Sequence, residues 1–310
     1  MKRALGPVLS ARLGVVVLVL WPAAAPAAEV QIREVSVAVA TKDGEPLADL
    51  TAEEFEVKED GKKRTVLGIG RDERPVVVSL ILDSSQWIGR EYTTTLVPAA
   101  MEFWRMLPAN AQVTIWTSGG RSSHVVDFGL TPEAAEPILK KQAVGGPSFT
   151  LDTIIDAARH LGSLRSERKV LVVVTGQSIP YSQSQLDGVY RAIPEARLTP
   201  VVILVSGYTG TGGGVRLGGQ VGGWDVESFL DDMTAGYGGG YDVVLTIQAC
   251  DKALKRVAAG LSSQYRVRFE SEAERPSRPE VKVDRKHART VTGLAMLSRE
   301  SIWSWGRRKD

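Results

Sequence analysis

The sequence predicts an α/β fold, a doubly wound and mostly parallel sheet, with a small β unit formed from N-terminal and C-terminal segments. Three observations predict it. Val76 to Leu82 is a nearly unbroken apolar run, the pattern of a strand buried on both faces of a parallel sheet. Similar runs recur at Val113–Trp116, Val170–Val174 and Val201–Val205. Helical patterns separate these runs, and strands alternating with helices give a sheet covered on both faces. The composition, 43% apolar and 24% charged over 310 residues, excludes disorder, collagen and coiled coil for the chain as a whole.

Residues 1–27 read as a secretory leader. Basic Lys2, Arg3 and Arg12 accompany the apolar stretch Leu13–Trp21, and Ala25-Pro26-Ala27 offers small residues where a signal peptidase cleaves. That stretch is under half of the roughly 20 residues that span a bilayer. No cysteine follows it to carry a lipid, and no later segment is apolar enough to anchor the chain. The expected product is soluble, secreted or periplasmic, with no integral membrane segment. Three of the 38 basic residues leave with the leader, so the balance against 36 acidic residues falls from +2 to −1. A nucleic-acid partner has no electrostatic support at that charge. Cys250 is the sole cysteine, which excludes an intrachain disulfide and a thiolate zinc cluster. The three histidines lie far apart in sequence, so any metal chemistry is expected to rest on oxygen ligands.

Residues 28–74 are read as the small β unit. Val30, Ile32, Val35, Val37 and Val39 approximate the period of a strand, Phe55-Glu56-Val57 a second and Arg64–Ile69 a third, with turn chemistry at Lys42–Pro46 and Glu59–Lys62. Residues 75–262 form the α/β domain. Leu96, Ala100, Phe103 and Leu107 share one helix face, and Thr131-Pro132 is an N-cap with proline at the first helical position. Further helices are expected over Leu151–Leu161, Gln185–Ile193, Val226–Met233 and Asp251–Leu261. Thirteen of the 31 glycines lie between Gly207 and Gly240, the composition of a surface loop, centred on 207–223. Residues 263–290 are expected to form a β-hairpin, Gln264–Phe269 with Val281–Val283, that packs on the small unit. Residues 291–310, with Trp303 and Trp305, are a tail.

Ligands of such sheets bind at the carboxyl ends of the strands. After the first buried run the chain reads Asp83-Ser84-Ser85-Gln86-Trp87. Asp-x-Ser here resembles the start of the metal-ion-dependent adhesion site of von Willebrand factor type A domains. Met106–Val113, Leu130-Thr131-Pro132 and Val172–Gly176 are similar to later landmarks of that family. Leu50–Gly61 ahead of the sheet and Leu261–Tyr265 behind it resemble a bacterial exported group, the VWFA-related domain of acidobacterial type. The likeness covers about residues 30–290.

The resemblance implies an α/β binding module without chemistry of its own, whose partner is a protein. It also implies a degenerate metal site. The family's Asp-x-Ser-x-Ser is kept at Asp83 and Ser85, but Trp87 replaces the last serine. Counting back four residues from Asp156-Ala157 puts Asp152 at the threonine position, between Thr150 and Thr153, and Gly176 stands where the family has an aspartate. No cofactor is therefore expected, with Mg²⁺ or Mn²⁺ on Asp83, Ser85 and Asp152 as the alternative. Partner contacts are assigned to loops holding Trp87, Ser148, Thr150, Gly176, Gln177 and Ser178. A serine hydrolase using Ser84 or Ser85 is the competing class, without a Gly-x-Ser-x-Gly turn to support it. A scaffold piece of an envelope assembly is the third.

Overall fold

The computed structural model describes residues 31–41, 45–166, 168–176, 182, 186–206, 220–221, 224–235, 237, 239–272, 279–286 and 288–292. The leader, most of the glycine-rich segment, Gln177, Ser178 and the tail lie outside the described residues.

In chain order, β1 (Gln31–Ala40) is followed by β2 (Phe55–Glu59), β3 (Lys62–Arg64), β4 (Val66–Arg71) and β5 (Val76–Leu82). A π-helical turn, Tyr92–Leu96, leads into α1 (Val97–Met106), then β6 (Gln112–Thr117) and β7 (Ser123–Val126). Next come α2 (Pro132–Lys140), α3 (Thr150–Gly162), β8 (Arg168–Gly176), α4 (Leu186–Ala196) and β9 (Thr199–Val205). The two-residue strands β10 (Gln220–Val221) and β11 (Trp224–Asp225) precede α5 (Val226–Ala235) and β12 (Gly240–Val244). The chain closes with α6 (Ala249–Ser262), β13 (Tyr265–Ser271), β14 (Glu280–Val283) and β15 (Arg289–Thr292).

Six strands form the main sheet in the order β12-β9-β8-β5-β6-β7. All neighbours run parallel except the edge strand β7, which is antiparallel to β6. The apolar runs dictate this arrangement, since every residue of β5 is buried and each face needs its own cover. Val76, Val78, Leu80 and Leu82 pack with Phe103, Leu139 and Leu254 of α1, α2 and α6. Val77 and Ile81 point the other way, toward Ile154, Ile193 and Met233 of α3, α4 and α5. Full burial of an aliphatic side chain contributes about 1.5–3 kcal/mol, and Leu80, Ile81 and Leu82 are each fully buried. Ser79, the polar break in the run, shares a 2.9 Å hydroxyl bond with Thr114 of β6. Thr131 caps α2 as its sequence indicates, its side chain accepting the Ala134 N–H.

The small unit differs from the expected arrangement. Arg64–Ile69 is not one strand: it breaks at Thr65 into β3, which pairs with β2, and β4, which pairs with β13. The expected hairpin of Gln264–Phe269 with Val281–Val283 does not form. β13 lies between β1 and β4 in one sheet, while β14 pairs with β2 in another, so each later strand takes an N-terminal partner. The reason is the pattern of buried residues. Tyr265, Val267 and Phe269 alternate toward Val37, Val39, Phe55, Val57 and Val281, a single apolar cluster that both sheets line. A two-stranded hairpin alone would leave that face open to water.

Arg168, at the start of β8, ties the two parts together. Its guanidinium donates to the carbonyls of Asp72 at 3.0 Å and Leu261 at 3.0 Å, and to Gln264 Oε1 at 2.8 Å. The Asp72 carboxylate, with no exposed side-chain surface, accepts from Arg74 at 2.8 Å and from the Ser36 hydroxyl of β1. Cys250 is buried on α6, and burial, with the nearby Asp242 charge, pushes its thiol up to about 12.

Candidate functional site

The carboxyl ends of β5 and β8 lie side by side at the place where successive connections depart in opposite directions, β6 on one side and β9 on the other. A crevice between loops is expected there. Three loops meet in it, following β5, β6 and α2. The Gly145 N–H donates to the Ser84 carbonyl, Gln86 N–H to Gly146, and Gly120 N–H to Pro147. Gly119 has to be glycine: a Cβ there would lie 2.3 Å from the Ser84 carbonyl oxygen, and its N–H donates to Ser84 Oγ at 3.0 Å.

Asp83 is fully buried at the centre. Its own N–H continues the ladder to the Val174 carbonyl at 2.9 Å. Its carboxylate is held by four donors. The Ser85 N–H reaches Oδ1 at 2.9 Å, while the Thr175 hydroxyl at 3.1 Å, the Gly176 N–H at 3.2 Å and the Ser148 hydroxyl at 3.4 Å reach Oδ2. Thr150 Oγ1 joins the same network, 2.7 Å from Ser148 Oγ and 3.2 Å from Thr175 Oγ1.

The structure thus brings Asp83, Ser85, Ser148, Thr150 and Gly176 together. Asp152 stands two positions after Thr150 on α3, a turn of about 200° around the helix, and its N–H faces Ser182 Oγ at 3.4 Å. It is Thr150 whose hydroxyl enters the Asp83 network. Trp87 is half-buried, with its indole N–H buried and unpartnered among the described residues. It forms one wall beside Gly176, where an added Cβ would lie 3.7 Å from Trp87 Cβ and 3.9 Å from Asp83 Oδ2. Ser148 and Thr150 are buried, so they shape the loops, and the exposed members include Gln86, Arg90, Gly120 and Gly146.

A hard divalent cation needs about six oxygen ligands and charge to match. The residues present do not fit that demand. Among the described residues Asp83 is the one carboxylate that the network's bonds reach, its oxygens already accept four bonds, and an indole and a glycine, Trp87 and Gly176, stand beside it. Ser85 Oγ is the one feature favouring a cation, being buried without a partner among the described residues. A nucleophilic serine is poorly supported as well. Ser84 and Ser85 are buried, and neither hydroxyl bonds to an imidazole among the described residues.

Sequence reading missed one constellation altogether. His124 of β7 and His160 of α3, 36 positions apart, have ring centroids 5.0 Å apart, with Asp127 beside them. The antiparallel pairing of Trp116 with His124 and the register of α3 create this contact, and neither was legible from spacing.

No family model matches the sequence, and no curated protein matches it. Among solved structures, the chain is similar to the von Willebrand factor type A protein from Catenulispora acidiphila. The TM-score is 0.50 at 8% identity, over 86% of this chain and 74% of that one. Proximal thread matrix protein 1 from the mussel byssus aligns with a TM-score of 0.47 at 12% identity, over 71% of this chain and 50% of that one. The manganese-loaded TRAP protein of Plasmodium vivax aligns with a TM-score of 0.44 at 12% identity, over 73% of this chain and 81% of that one. The chain spans about half the length of the mussel protein. The chain has the von Willebrand factor type A fold. Among the described residues no helix is long and apolar enough to cross a membrane.

Proposed function

We propose that this chain is an exported protein–protein interaction module that binds its partner without a divalent ion at the Asp83 site. The observation that carries the reading is the Asp83 carboxylate, saturated by four internal donors and flanked by Trp87 and Gly176 in place of ligating oxygens. The fold, which presents loops at the carboxyl end of a rigid sheet, and the resemblance of the segments flanking the sheet support a binding role over a catalytic one. The leader-like residues 1–27 support export to the periplasm or beyond.

On this reading Asp83 is structural: it ties the β5 loop to β8 and to the Ser148 loop. The partner meets the rim made by Gln86, Trp87, Arg90 and Gly146. Its affinity comes from an ordinary interface, where a half-buried tryptophan serves as an anchor.

The test is a photo-crosslinking side chain placed at Gln86, used on envelope extract of the source organism with EDTA and with Mg²⁺. A defined adduct of equal yield in both conditions, lost in Trp87→Ala and absent for a probe at Gln112 at the opposite end of β6, is expected. An adduct that requires Mg²⁺ overturns the metal-independent mechanism. Equal labelling from Gln86 and Gln112 overturns the assignment of the surface.

A further inference from the structure

Outside the Asp83 crevice, one group of side chains among the described residues has the composition of a metal centre. His124, Asp127 and His160 each contribute a ligand atom, and these atoms all lie within 4.8 Å of one another. His124 and Asp127 are exposed and His160 is half-buried, so an ion has a route in from solvent. The site stands apart from the crevice, because His160 lies ten residues along α3 from Thr150, about 15 Å at the helical rise.

The rings are held by aromatic neighbours. His124 stacks on Trp116, its cross-strand partner, at 4.3 Å with an interplanar angle of 9°. His160 stacks on Phe128 at 5.5 Å and 22°, and meets the Trp116 edge at 5.9 Å. Trp116 belongs to the buried core, so this platform is rigid. His160 Nε2 is buried and has no hydrogen-bond partner among the described residues. A buried imidazole nitrogen without a partner is unfavourable, and a metal ion is a partner it can accept.

We propose that His124, Asp127 and His160 form a binding site for a divalent first-row transition metal of the zinc class. Two imidazoles and one carboxylate are the donors such ions take, and three protein ligands leave a fourth position for water. Mg²⁺ and Ca²⁺ are disfavoured by the nitrogen donors. Bond lengths near 2.0–2.1 Å put tetrahedral ligand atoms about 3.3 Å apart. Closing from at most 4.8 Å asks for small side-chain adjustments, which the exposed Asp127 can make most freely.

The test uses the full, untagged chain in a His287→Gln background, titrated with Zn²⁺ alone by calorimetry and with Cu²⁺ by electron paramagnetic resonance. One saturable site per chain is expected, with nitrogen hyperfine structure from two imidazoles. His124→Gln and Asp127→Asn replace exposed side chains and leave the fold intact by circular dichroism. Each is expected to weaken binding at least tenfold, and His124→Gln to leave one coupled nitrogen. Glu102→Gln, on α1, leaves binding unchanged. Absence of a saturable site at micromolar Zn²⁺, or an affinity that survives the His124→Gln/Asp127→Asn double variant, overturns the proposal.

Discussion

If the Asp83 crevice lacks a hard-cation site because oxygens are missing, returning one carboxylate has a calculable effect. Gly176 has an ordinary backbone conformation, and a Cβ there meets Ile88, Trp87 and Asp83 at 3.6–3.9 Å, which is normal contact. Gly176→Asp is therefore sterically admissible and sets a second carboxylate about 5 Å from the first. At an effective dielectric constant of about 20, two like charges at that distance repel by about 3 kcal/mol. In EDTA the variant should melt lower than the parent by about 6 °C, taking about 2 °C per kcal/mol for a chain of this size. Mg²⁺ at 100 times its dissociation constant returns about 2.7 kcal/mol, so most of that loss is recovered in millimolar Mg²⁺. Adding Trp87→Ser should lower the Mg²⁺ concentration required. The assay is a thermal melt of parent and variants in EDTA and in Mg²⁺, followed by far-ultraviolet circular dichroism. The parent is expected to show no Mg²⁺ shift. A parent that rises several degrees in Mg²⁺ refutes the reasoning, because the residues already present would then hold the ion.

Asp83→Ala removes the shared acceptor of four donors, leaving the Ser85 and Gly176 N–H groups without it and the Ser148 and Thr175 hydroxyls with only their neutral partners, and should lower stability by about 3 kcal/mol in urea denaturation, with or without EDTA. Gly119→Ala forces a Cβ onto the Ser84 backbone and should destabilise by about 3 kcal/mol, seen as a lower urea midpoint with an unchanged slope. Arg168→Met leaves four carbonyl or amide oxygens without their donor and removes one of the two guanidinium charges beside Asp72, which Arg74 still pairs, with an expected loss of about 3 kcal/mol or more. Burial opposes ionisation of Asp72, but the hydrogen bonds from Arg74 and Ser36 and the charges of Arg168 and Arg74 outweigh it and hold its pKa below the usual value of 3.8. A carboxyl lowered in the folded state stabilises above its unfolded pKa and loses that contribution as pH falls below it. Stability measured between pH 5 and pH 2.5 should therefore fall in the parent, and fall less in Arg168→Met, about the unfolded carboxyl pKa near 4.

The α/β layer was legible because its strands are apolar on both faces, a pattern that survives without knowledge of partners. Val76–Leu82 and Val170–Val174 are strands for that reason, and β12 was missed because Gly240-Tyr241-Asp242-Val243-Val244 carries a charge that the fold pairs with Arg256. The small unit was half legible. Alternation identified β1 and β13 as strands, yet pairing depends on which apolar faces meet, and the proximity of Gln264–Phe269 to Val281–Val283 in sequence suggested a hairpin that the shared core overrides. At the crevice, Asp83 and Ser85 follow directly from the end of β5. The choice between Thr150 and Asp152 depends on where α3 begins and how it is turned, which spacing alone leaves open. Pairing of His124 with Trp116 across an edge strand and the turn of α3 together make the histidine group, and no local pattern encodes a contact between two elements.

The threading of β1 between β13 and β15 sets the order in which the chain can acquire its structure. Both strand partners of β1 lie more than 220 positions later, so its ladder closes the longest loop among the described strands. The β-α-β units between those strands make short-range contacts and form early, and once formed they hold Asp72 and Gln264 beside Arg168. While β2 and β3 can pair with each other at once, β1 and β4 consequently stand as unpaired strand edges through synthesis, and any passage across a membrane, in need of protection until residues 265–292 emerge.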